Sequence, residues 1–489
     1  MSTPDAQPPS AVTARALAAL LTLPVALAGS LPAVEPAGRL EVCPKHPYYF
    51  RDGERHVVLV GVSDRALFTI WENRKGFHWR TYLEVLEAHG INYVRQDLGS
   101  WGGLRVPIDY PGQFSSPRWV FARSGPGKAI DGRPRFDLRR YDQGYFDERL
   151  KPFLREAARR GIYVELTLFE EFRSRRFADS LYADANNVNR LGLAPRQATS
   201  DRALEHPALR EIQQAYVDKV LEETVAFGHV IYEISNETGG RRWVAHFVDT
   251  IRRHPRHPGR LVSAGEQTTA FDPRKGRNDI VVKHRGGGGD YAGDAGIQRH
   301  HRGLLGFRVG KPVLHNEYFL FANRSTSDVH FPRKMMWGDF TAGGHSNFFD
   351  FRYFRGTGRT ATDGEPSRSP PAEILQGARH LRRFLDSTGV EFWSMAPRDE
   401  LASVEGKGDP LVFTLARPGE EYVSYVLGEG EVDVRLDLDR KAFVFRWYDP
   451  KSGRFVGASG RSAGGKGSRF SSPTFRQDVV LHVRAGGER

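Results

Sequence analysis

The chain has 489 residues, of which 39% are hydrophobic and 27% charged, a composition that excludes a disordered chain and a multi-span membrane protein. Its length predicts one large domain and a smaller one. The formal net charge is +12, and arginine supplies 58 of the 71 basic residues. A basic balance favours an anionic partner without distinguishing nucleic acid from an acidic polymer. Because Cys43 is the only cysteine, no intramolecular disulfide can form, and we expect a packed or free thiol.

The N-terminus carries an apolar stretch over residues 14–30, after a polar start that contains proline. The stretch is too short and too interrupted by proline for a membrane span, and small residues at its end are typical of signal cleavage. We therefore interpret residues 1–34 as a signal peptide or a disordered leader. The sequence predicts a secreted or periplasmic protein without a membrane span.

From residue 57 onward, short β-branched runs alternate with longer helical patterns, as in repeated βα units. Eight such strands predict an α/β fold, a (β/α)8 TIM barrel over residues 45–390, with a doubly wound open sheet as the main competitor. Helical periodicity is clearest over residues 78–89, 145–160, 207–227 and 373–385. The predicted strands are Val57–Gly61, Ile91–Leu98, Ile162–Phe169, Val230–Ser235, Leu261–Ala264, Ile280–Lys283, Pro312–Glu317 and Ser346–Phe351.

Two long polar insertions, residues 99–143 and 170–205, each follow a predicted strand. Loops in that position lie at the C-terminal mouth of a barrel, where substrate binds. After residue 390 only strand patterns remain, and residues 391–489 are predicted to form a small all-β sandwich with a flexible basic loop over 459–469. The predicted sandwich strands are Leu411–Ala416, Tyr422–Leu427, Val432–Leu438, Phe443–Tyr448 and Val479–Val483.

The fourth and seventh predicted barrel strands both end in a glutamate. Asn236 and Glu237 follow the run from Val230, and Glu317 ends the run from Pro312. Each motif alone is weak, because a glutamate often caps a strand as a solvated residue. The fourth and seventh strand ends, however, lie on opposite sides of a barrel mouth, so the two carboxylates could flank one bond.

With these motifs the barrel resembles clan A glycoside hydrolases, close to the family 5 type. The resemblance implies that Glu237, preceded by Asn236, is the acid/base and that Glu317 is the nucleophile of a retaining mechanism. It implies that Arg95 supports the nucleophile carboxylate and that Asn236 contacts the sugar 2-hydroxyl. His284, at the end of the sixth strand, falls where the family carries an aromatic residue or histidine. No cofactor is implied.

The C-terminal segment adds a second resemblance. The run from Phe445 to Phe455, followed by Phe470 and Pro473, is similar to the β-sandwich labelled "putative collagen-binding", which accompanies apiosidase-like barrels of the same clan. The eighth strand departs from the family 5 pattern, because Ser346–Phe351 contains no tryptophan to form a floor for the sugar. A preference for glucans therefore does not carry over.

Further candidates come from residue type and position. Trp101, in the first long insertion, could stack on a sugar ring, whereas Trp119 and Phe121 fit loop anchors better. Glu266 ends the fifth strand and could line a subsite. A glycine run at Gly286–Gly289 could bring His284 and Tyr291 to a sugar. Three loop arginines leave an acidic substrate open, although a solvated charge run also explains them: Arg173, Arg175 and Arg176.

Other classes fit less well. The sequence has no zinc-finger, helix-turn-helix or RNA-binding motif, so nucleic acid is not predicted as a partner. The spacing of the histidines, including His300 and His301, does not favour a metal site. The sequon at Asn236 would block the proposed site if glycosylated, and we interpret it as a coincidence.

The sequence thus predicts a secreted retaining glycoside hydrolase that cleaves a β-glycosidic bond in a plant or microbial polysaccharide or oligosaccharide. A non-catalytic carbohydrate-binding or adhesion protein on the same fold is the alternative.

Overall fold

The computed structural model describes residues 36–63, 79–98, 119–170, 174–236, 238–256, 259–265, 274–284, 293–319, 330–349 and 372–486; within these ranges the side chains of residues 170, 174–176, 284, 317–319, 349 and 372 are outside the description. The predicted signal segment, residues 1–34, also lies outside the described residues.

Eight parallel strands form the barrel that the sequence predicts. Three short strands precede it, namely β1 (Leu40–Val42), β2 (Phe50–Asp52) and β3 (Arg55–Val57). The barrel strands lie within three residues of their predicted bounds, and a hairpin, β6 and β7, interrupts them. In chain order the strands are β4 (Val60–Ser63), β5 (Tyr93–Asp97), β6 (Phe121–Lys128), β7 (Pro134–Tyr141), β8 (Tyr163–Glu170), β9 (Val230–Asn236), β10 (Val262–Ser263), β11 (Val281–His284), β12 (Val313–Phe319) and β13 (His345–Phe349).

The strands of the barrel are hydrogen-bonded in the order β10-β9-β8-β5-β4-β13-β12-β11. Every pairing in this sheet is parallel, and a parallel bridge between Ser263 and Ile280 joins its two ends. The sheet therefore closes on itself, which excludes the doubly wound open sheet. The carboxyl ends of all eight strands meet at one mouth, where β9 and β12 are the fourth and seventh barrel strands.

The lower half of the barrel is apolar. Tyr93, Ile231 and Leu314 pack there in one buried cluster with residues of the β1–β3 hairpins, among them Leu40 and Phe50. The hairpins thus cover the N-terminal end of the barrel and leave the C-terminal mouth for ligand binding.

Helices alternate with the strands and cover the outside of the barrel. The predicted helix over residues 145–160 starts with a π-helical turn at Tyr145–Leu150 and continues as an α-helix. Cys43 is buried and free, as expected. No described helix has the length and hydropathy needed to cross a lipid bilayer. The helices are α1 (Trp79–Ala88), α2 (Lys151–Arg159), α3 (Pro207–Thr224), α4 (Arg241–Arg253), α5 (Gly293–Leu305), α6 (Phe331–Thr341) and α7 (Ala372–Thr388).

The two insertions contain regular structure that the sequence reading missed. Residues 121–141 form the antiparallel hairpin β6–β7, and this hairpin packs on the second insertion. The side chain of Asn186 accepts from the backbone N–H of Ile130 (3.0 Å), and that of Asn189 accepts from Leu138 (2.8 Å). The insertions therefore support one another beside the mouth.

Residues after α7 form two antiparallel sheets, as predicted for a β-sandwich. The six-stranded sheet has the order β14-β16-β17-β22-β19-β20, and the three-stranded sheet has the order β15-β18-β21. The loop predicted over residues 459–469 is wrong in part, because β20 and β21 take up both of its ends. The strands are β14 (Ala396–Pro397), β15 (Ala402–Gly406), β16 (Leu411–Arg417), β17 (Glu421–Gly430), β18 (Val432–Leu436), β19 (Phe443–Asp449), β20 (Arg454–Ser462), β21 (Ser468–Ser471) and β22 (Phe475–Ala485).

Helix α6 joins the barrel to the sandwich, and all eleven of its residues are buried. Trp337 stacks on Tyr425 of β17 with ring centroids 5.8 Å apart. The guanidinium of Arg333 donates to both carboxylate oxygens of Asp478 on β22, at 2.7 and 2.9 Å. Barrel and sandwich belong to one compact unit.

Candidate active site

A buried ion pair lies inside the upper half of the barrel. Arg95 of β5 donates from Nε and Nη2 to the two carboxylate oxygens of Glu233 on β9, at 2.7 and 2.8 Å. The hydroxyl of Thr167, on the intervening strand β8, donates to the same carboxylate at 2.5 Å. Because Arg95 and Glu233 are two strands apart, they can meet only across the barrel interior. Bidentate pairing fixes the plane of the guanidinium as well as its position.

A second carboxyl group lies beside this pair. Glu165 of β8 is fully buried, accepts a hydrogen bond from the hydroxyl of Tyr93, and has its Oε2 3.8 Å from Nε of Arg95. Burial, together with the nearby Glu233 carboxylate, raises the pKa of Glu165 to about 8 against the lowering effect of Arg95. Glu165 is therefore mostly protonated at neutral pH, so the interior holds one full ion pair and one neutral acid.

The Arg95–Glu233 pair reaches the predicted catalytic motif through Asn236. Nη2 of Arg95 donates to Oδ1 of Asn236 at 2.8 Å, which fixes the orientation of the amide. Asn236 is only 2% exposed, so the folded barrel leaves no room for a glycan on its amide. The predicted contact between Arg95 and Glu317 stays a prediction, because the Glu317 side chain is outside the description.

The turn that follows Asn236 is held in place by its neighbours. Ser235 Oγ donates to the carbonyl of Thr238 at 2.6 Å, and the Thr238 and Thr199 hydroxyls lie 2.6 Å apart. Asp201 accepts from the backbone N–H of Trp243 at the start of α4 (2.9 Å). The second insertion thus fixes both sides of position 237. Sequence reading missed Thr199 and Asp201, because nothing in their local pattern links them to a strand 30 residues downstream.

A bulge lies at the corresponding point of the seventh barrel strand. The register of β12 against β13 shifts between His315 and Tyr318, so Asn316 and Glu317 fall within an irregular step. A bulge re-aims side chains and is common beside active sites.

The eighth barrel strand, β13, carries a buried amide, Asn347, and no tryptophan. Asn347 Nδ2 donates to Oγ of Ser63 on β4 (2.7 Å) and to Oδ1 of Asn316 (2.6 Å). Among the described residues, Nδ2 of Asn316 and Oδ1 of Asn347 have no hydrogen-bond partner, although both residues are fully buried. The departure noted in the sequence therefore corresponds to a hydrogen-bonded chain across three strands, which sequence reading did not foresee.

Other predicted residues fall outside this description. Glu237, Glu266, Trp101 and Tyr291 lie in undescribed segments, and His284 is described only as the last residue of β11. Gly265, just before Glu266, has φ +73°, and a Cβ there would lie 2.1 Å from the carbonyl oxygen of Ser235. The turn toward Glu266 therefore requires glycine. The side chains of Arg173, Arg175 and Arg176 are likewise undescribed.

Trp119, His300 and His301, for which the sequence left a structural role open, are buried and contact other parts of the fold. Trp119 is 4% exposed and lines a cavity of about 20 Å³ with Leu168 and Tyr182, between the hairpin and the barrel wall. His300 binds Asp339 (2.7 Å), and His301 binds Asp399 (3.0 Å). Across the described part of the chain, no group of three or more His, Cys, Asp or Glu residues is arranged to hold a metal ion.

The closed barrel of eight parallel strands followed by a β-sandwich is a fold that solved structures of glycoside hydrolases also have. Two solved structures share it over nearly the whole chain. A structure described as a glycoside hydrolase has a TM-score of 0.62 and 14% identity, and the match covers 94% of this chain and 100% of that one. A glycoside hydrolase family 5 protein from Bacteroides vulgatus has a TM-score of 0.60 and 16% identity, with 94% and 95% covered.

These identities show a shared fold and no more. A family profile described as a domain of unknown function (DUF6298) matches residues 113–270, which include the hairpin, the second insertion and β9. No curated protein sequence matches the chain significantly.

Proposed function

We propose that the protein is a retaining glycoside hydrolase in which Glu237 is the acid/base and Glu317 is the nucleophile. The observation that carries the proposal is the buried Arg95–Glu233–Asn236 group, which ends at the residue before Glu237. An oriented amide beside the acid/base can donate to a sugar hydroxyl, an interaction that strengthens in the transition state. The bulge at Asn316 and Glu317, at the seventh strand end, supports the assignment of the second carboxylate.

The chemistry requires the two glutamates in opposite protonation states. Protonated Glu237 would give its proton to the leaving oxygen while ionised Glu317 attacks the anomeric carbon and forms a glycosyl-enzyme intermediate. Glu237, now ionised, would then take a proton from the water that releases the sugar. Substrate is proposed to be a β-linked polysaccharide or oligosaccharide bound at the barrel mouth, with Trp101, Glu266, His284 and Tyr291 as further contacts.

The proposal is tested by trapping and by substitution. A 2-deoxy-2-fluoro glycosyl probe panel should label Glu317, as read by mass spectrometry of the digested protein. Glu237→Gln and Glu317→Gln should each lower kcat by about 10²-fold to 10⁴-fold on any substrate found, since each removes a group that acts in the transition state. Glu429→Gln, an exposed glutamate of the sandwich, is the matched control and should leave kcat unchanged.

Full turnover in either site variant would refute the assignment of that glutamate. Absence of labelling and of hydrolysis across the panel, together with tight glycan binding, would instead favour a non-catalytic carbohydrate-binding protein.

We also propose that residues 1–34 direct export to the periplasm or the medium. Expression of the full chain in a bacterial host, followed by N-terminal sequencing of the exported protein, should show a start within or just after this segment. An unprocessed chain retained in the cytoplasm would contradict export.

A further inference from the structure

The charge of the sandwich is divided between its two halves. Residues 391–439 contain four Lys or Arg and twelve Asp or Glu. Residues 440–486 contain ten Lys or Arg and two Asp or Glu. The order of the six-stranded sheet places β22, β19 and β20 next to one another at one side. Within the six-stranded sheet the division in sequence is also a division in space, and the β20 side of this sheet is basic. Strand β21 of the basic half pairs instead with β18 of the acidic half.

Apolar and basic side chains meet on this side, in a patch called here the basic edge: exposed Val444, Phe455 and Arg461, and half-buried Arg446 and Arg484. Val444 of β19 lies between Arg461 on β20 and Arg484 on β22 in the strand register. Val444 is 41% and Phe455 38% exposed, the two most exposed large hydrophobic residues of the described sandwich. The guanidinium carbon of Arg446 lies 4.2 Å from the centroid of the Phe455 ring.

The arginines of the basic edge have little opposing charge. Among the described residues, Arg446 and Arg461 form no ion pair. Arg484 approaches only Glu421, at 3.7 Å, and that carboxylate is already bound by His482 at 2.8 Å. Burial lowers the pKa of Arg446, and repulsion from Arg484 lowers it further. Arg446 and Arg484 therefore have the same carboxylate, Glu421, as their nearby counter-charge, and an added anion would relieve the repulsion between them.

Protection of an edge strand explains only part of this pattern. Charged residues on an edge strand prevent its pairing with another sheet, but carboxylates would prevent such pairing as well as arginines do. Exposed apolar residues such as Val444 and Phe455 favour association instead. An aromatic face beside guanidinium groups fits a sugar ring that carries an anionic substituent.

We propose that the basic edge binds an acidic polysaccharide, with its carboxylates or sulfates paired to Arg446, Arg461 and Arg484 and a sugar ring packed on Phe455. The choice of a glycan over other polyanions rests on the proposed function of the barrel. The sandwich would then hold an anionic polymer near a barrel that acts on glycans.

The test measures binding of the full chain carrying Glu317→Gln, so that hydrolysis cannot remove the ligand. Polygalacturonate is the probe, and its methyl ester is the uncharged comparison. We expect polygalacturonate to bind and the ester to bind at least about tenfold more weakly. The affinity for polygalacturonate should fall as the salt concentration rises from about 50 to about 200 mM. The double variant Arg446→Gln/Arg461→Gln should lose about tenfold in affinity.

The matched control is Arg398→Gln/Arg435→Gln, which makes the same change in charge in the acidic half of the sandwich. Both of its arginines are exposed, and each pairs with a neighbouring glutamate. Equal losses in the two double variants, equal binding of the ester, or tighter binding of duplex DNA than of polygalacturonate would each overturn the proposal. Binding without hydrolysis of any glycan by the native chain would refute only the proposed function, and hydrolysis without polyanion binding would refute only this inference.

Discussion

At the scale of single residues, the interior of the barrel depends on how three ionisable groups share a buried space. Arg95 was evident from the sequence, but its partner Glu233 and the neighbouring Glu165 were not singled out. A signal was present, because each glutamate interrupts an apolar strand that the sequence predicts to be buried. A carboxylate in such a strand requires a partner or a proton. The identity of the partner depends on strand register, which local sequence does not encode.

Glu165 predicts a pH dependence of stability. Its pKa is about 8 in the folded state and near 4 in an unfolded chain, so the folded state binds more protons between these values. The stability that this difference contributes is fully present below the unfolded pKa and is lost as pH rises through about 8. Glu165→Gln keeps the group neutral, so its melting temperature should decline less than that of the native chain from pH 5 to 8. Parallel declines in the two proteins would contradict this.

At the scale of elements, the eight barrel strands and several helices were predictable, whereas α6 was not. Its sequence gives no apolar stripe, because the helix packs against the barrel on one side and the sandwich on the other. Polar residues of α6 are buried with partners: Lys334 donates to Asp294 at 2.7 Å, and Asp339 accepts from Ser346 at 2.5 Å. Hydrophobic periodicity identifies helices that have one solvent-exposed face, and α6 has no such face.

The two insertions show the same limit in another form. Their composition indicates loops, yet residues 121–141 pair as a hairpin and residues 199–201 hold the turn after β9. The contacts between residues 199–201 and the turn after β9 join residues about 40 apart, so no window of local sequence contains both partners. The hairpin is local, but it packs on the second insertion through residues more than 50 apart.

At the scale of the whole molecule, barrel and sandwich share an interface that is partly ionic. Arg333 is 9% and Asp478 0% exposed at the side chain, and the hydroxyl of Tyr425 also donates to Asp478 at 3.0 Å. The domain boundary near residue 390 stays a prediction, although α7 ends at Thr388 and the first sandwich strand begins at Ala396.

Breaking this pair should destabilise both parts together. Arg333→Met leaves a buried carboxylate unpaired and should cost about 3–5 kcal/mol of the free energy of unfolding. Arg333→Met/Asp478→Asn removes that charge and should cost less. Urea unfolding, followed by circular dichroism and tryptophan fluorescence, should show one coincident transition in each protein. A double variant as unstable as the single one, or separate transitions, would be inconsistent with a shared ionic interface.

The closure of the barrel has a consequence for the gap between the fourth and seventh strand ends. Strand β10 has only two residues and meets the far end of the sheet through one bridge and two hydrogen bonds between Val262 and Asp279, so the short path from β9 to β12 has fewer contacts than the long one. The longer path from β9 to β12, through β8, β5, β4 and β13, consists of strands paired without a break, and a group of side-chain hydrogen bonds, called here a brace, joins three strands at each end. Arg95, Thr167 and Glu233 tie three strands of one end, and Ser63, Asn316 and Asn347 tie three of the other. These braces would then set the separation of the two carboxylates, and about 2 Å in that separation divides retention from inversion.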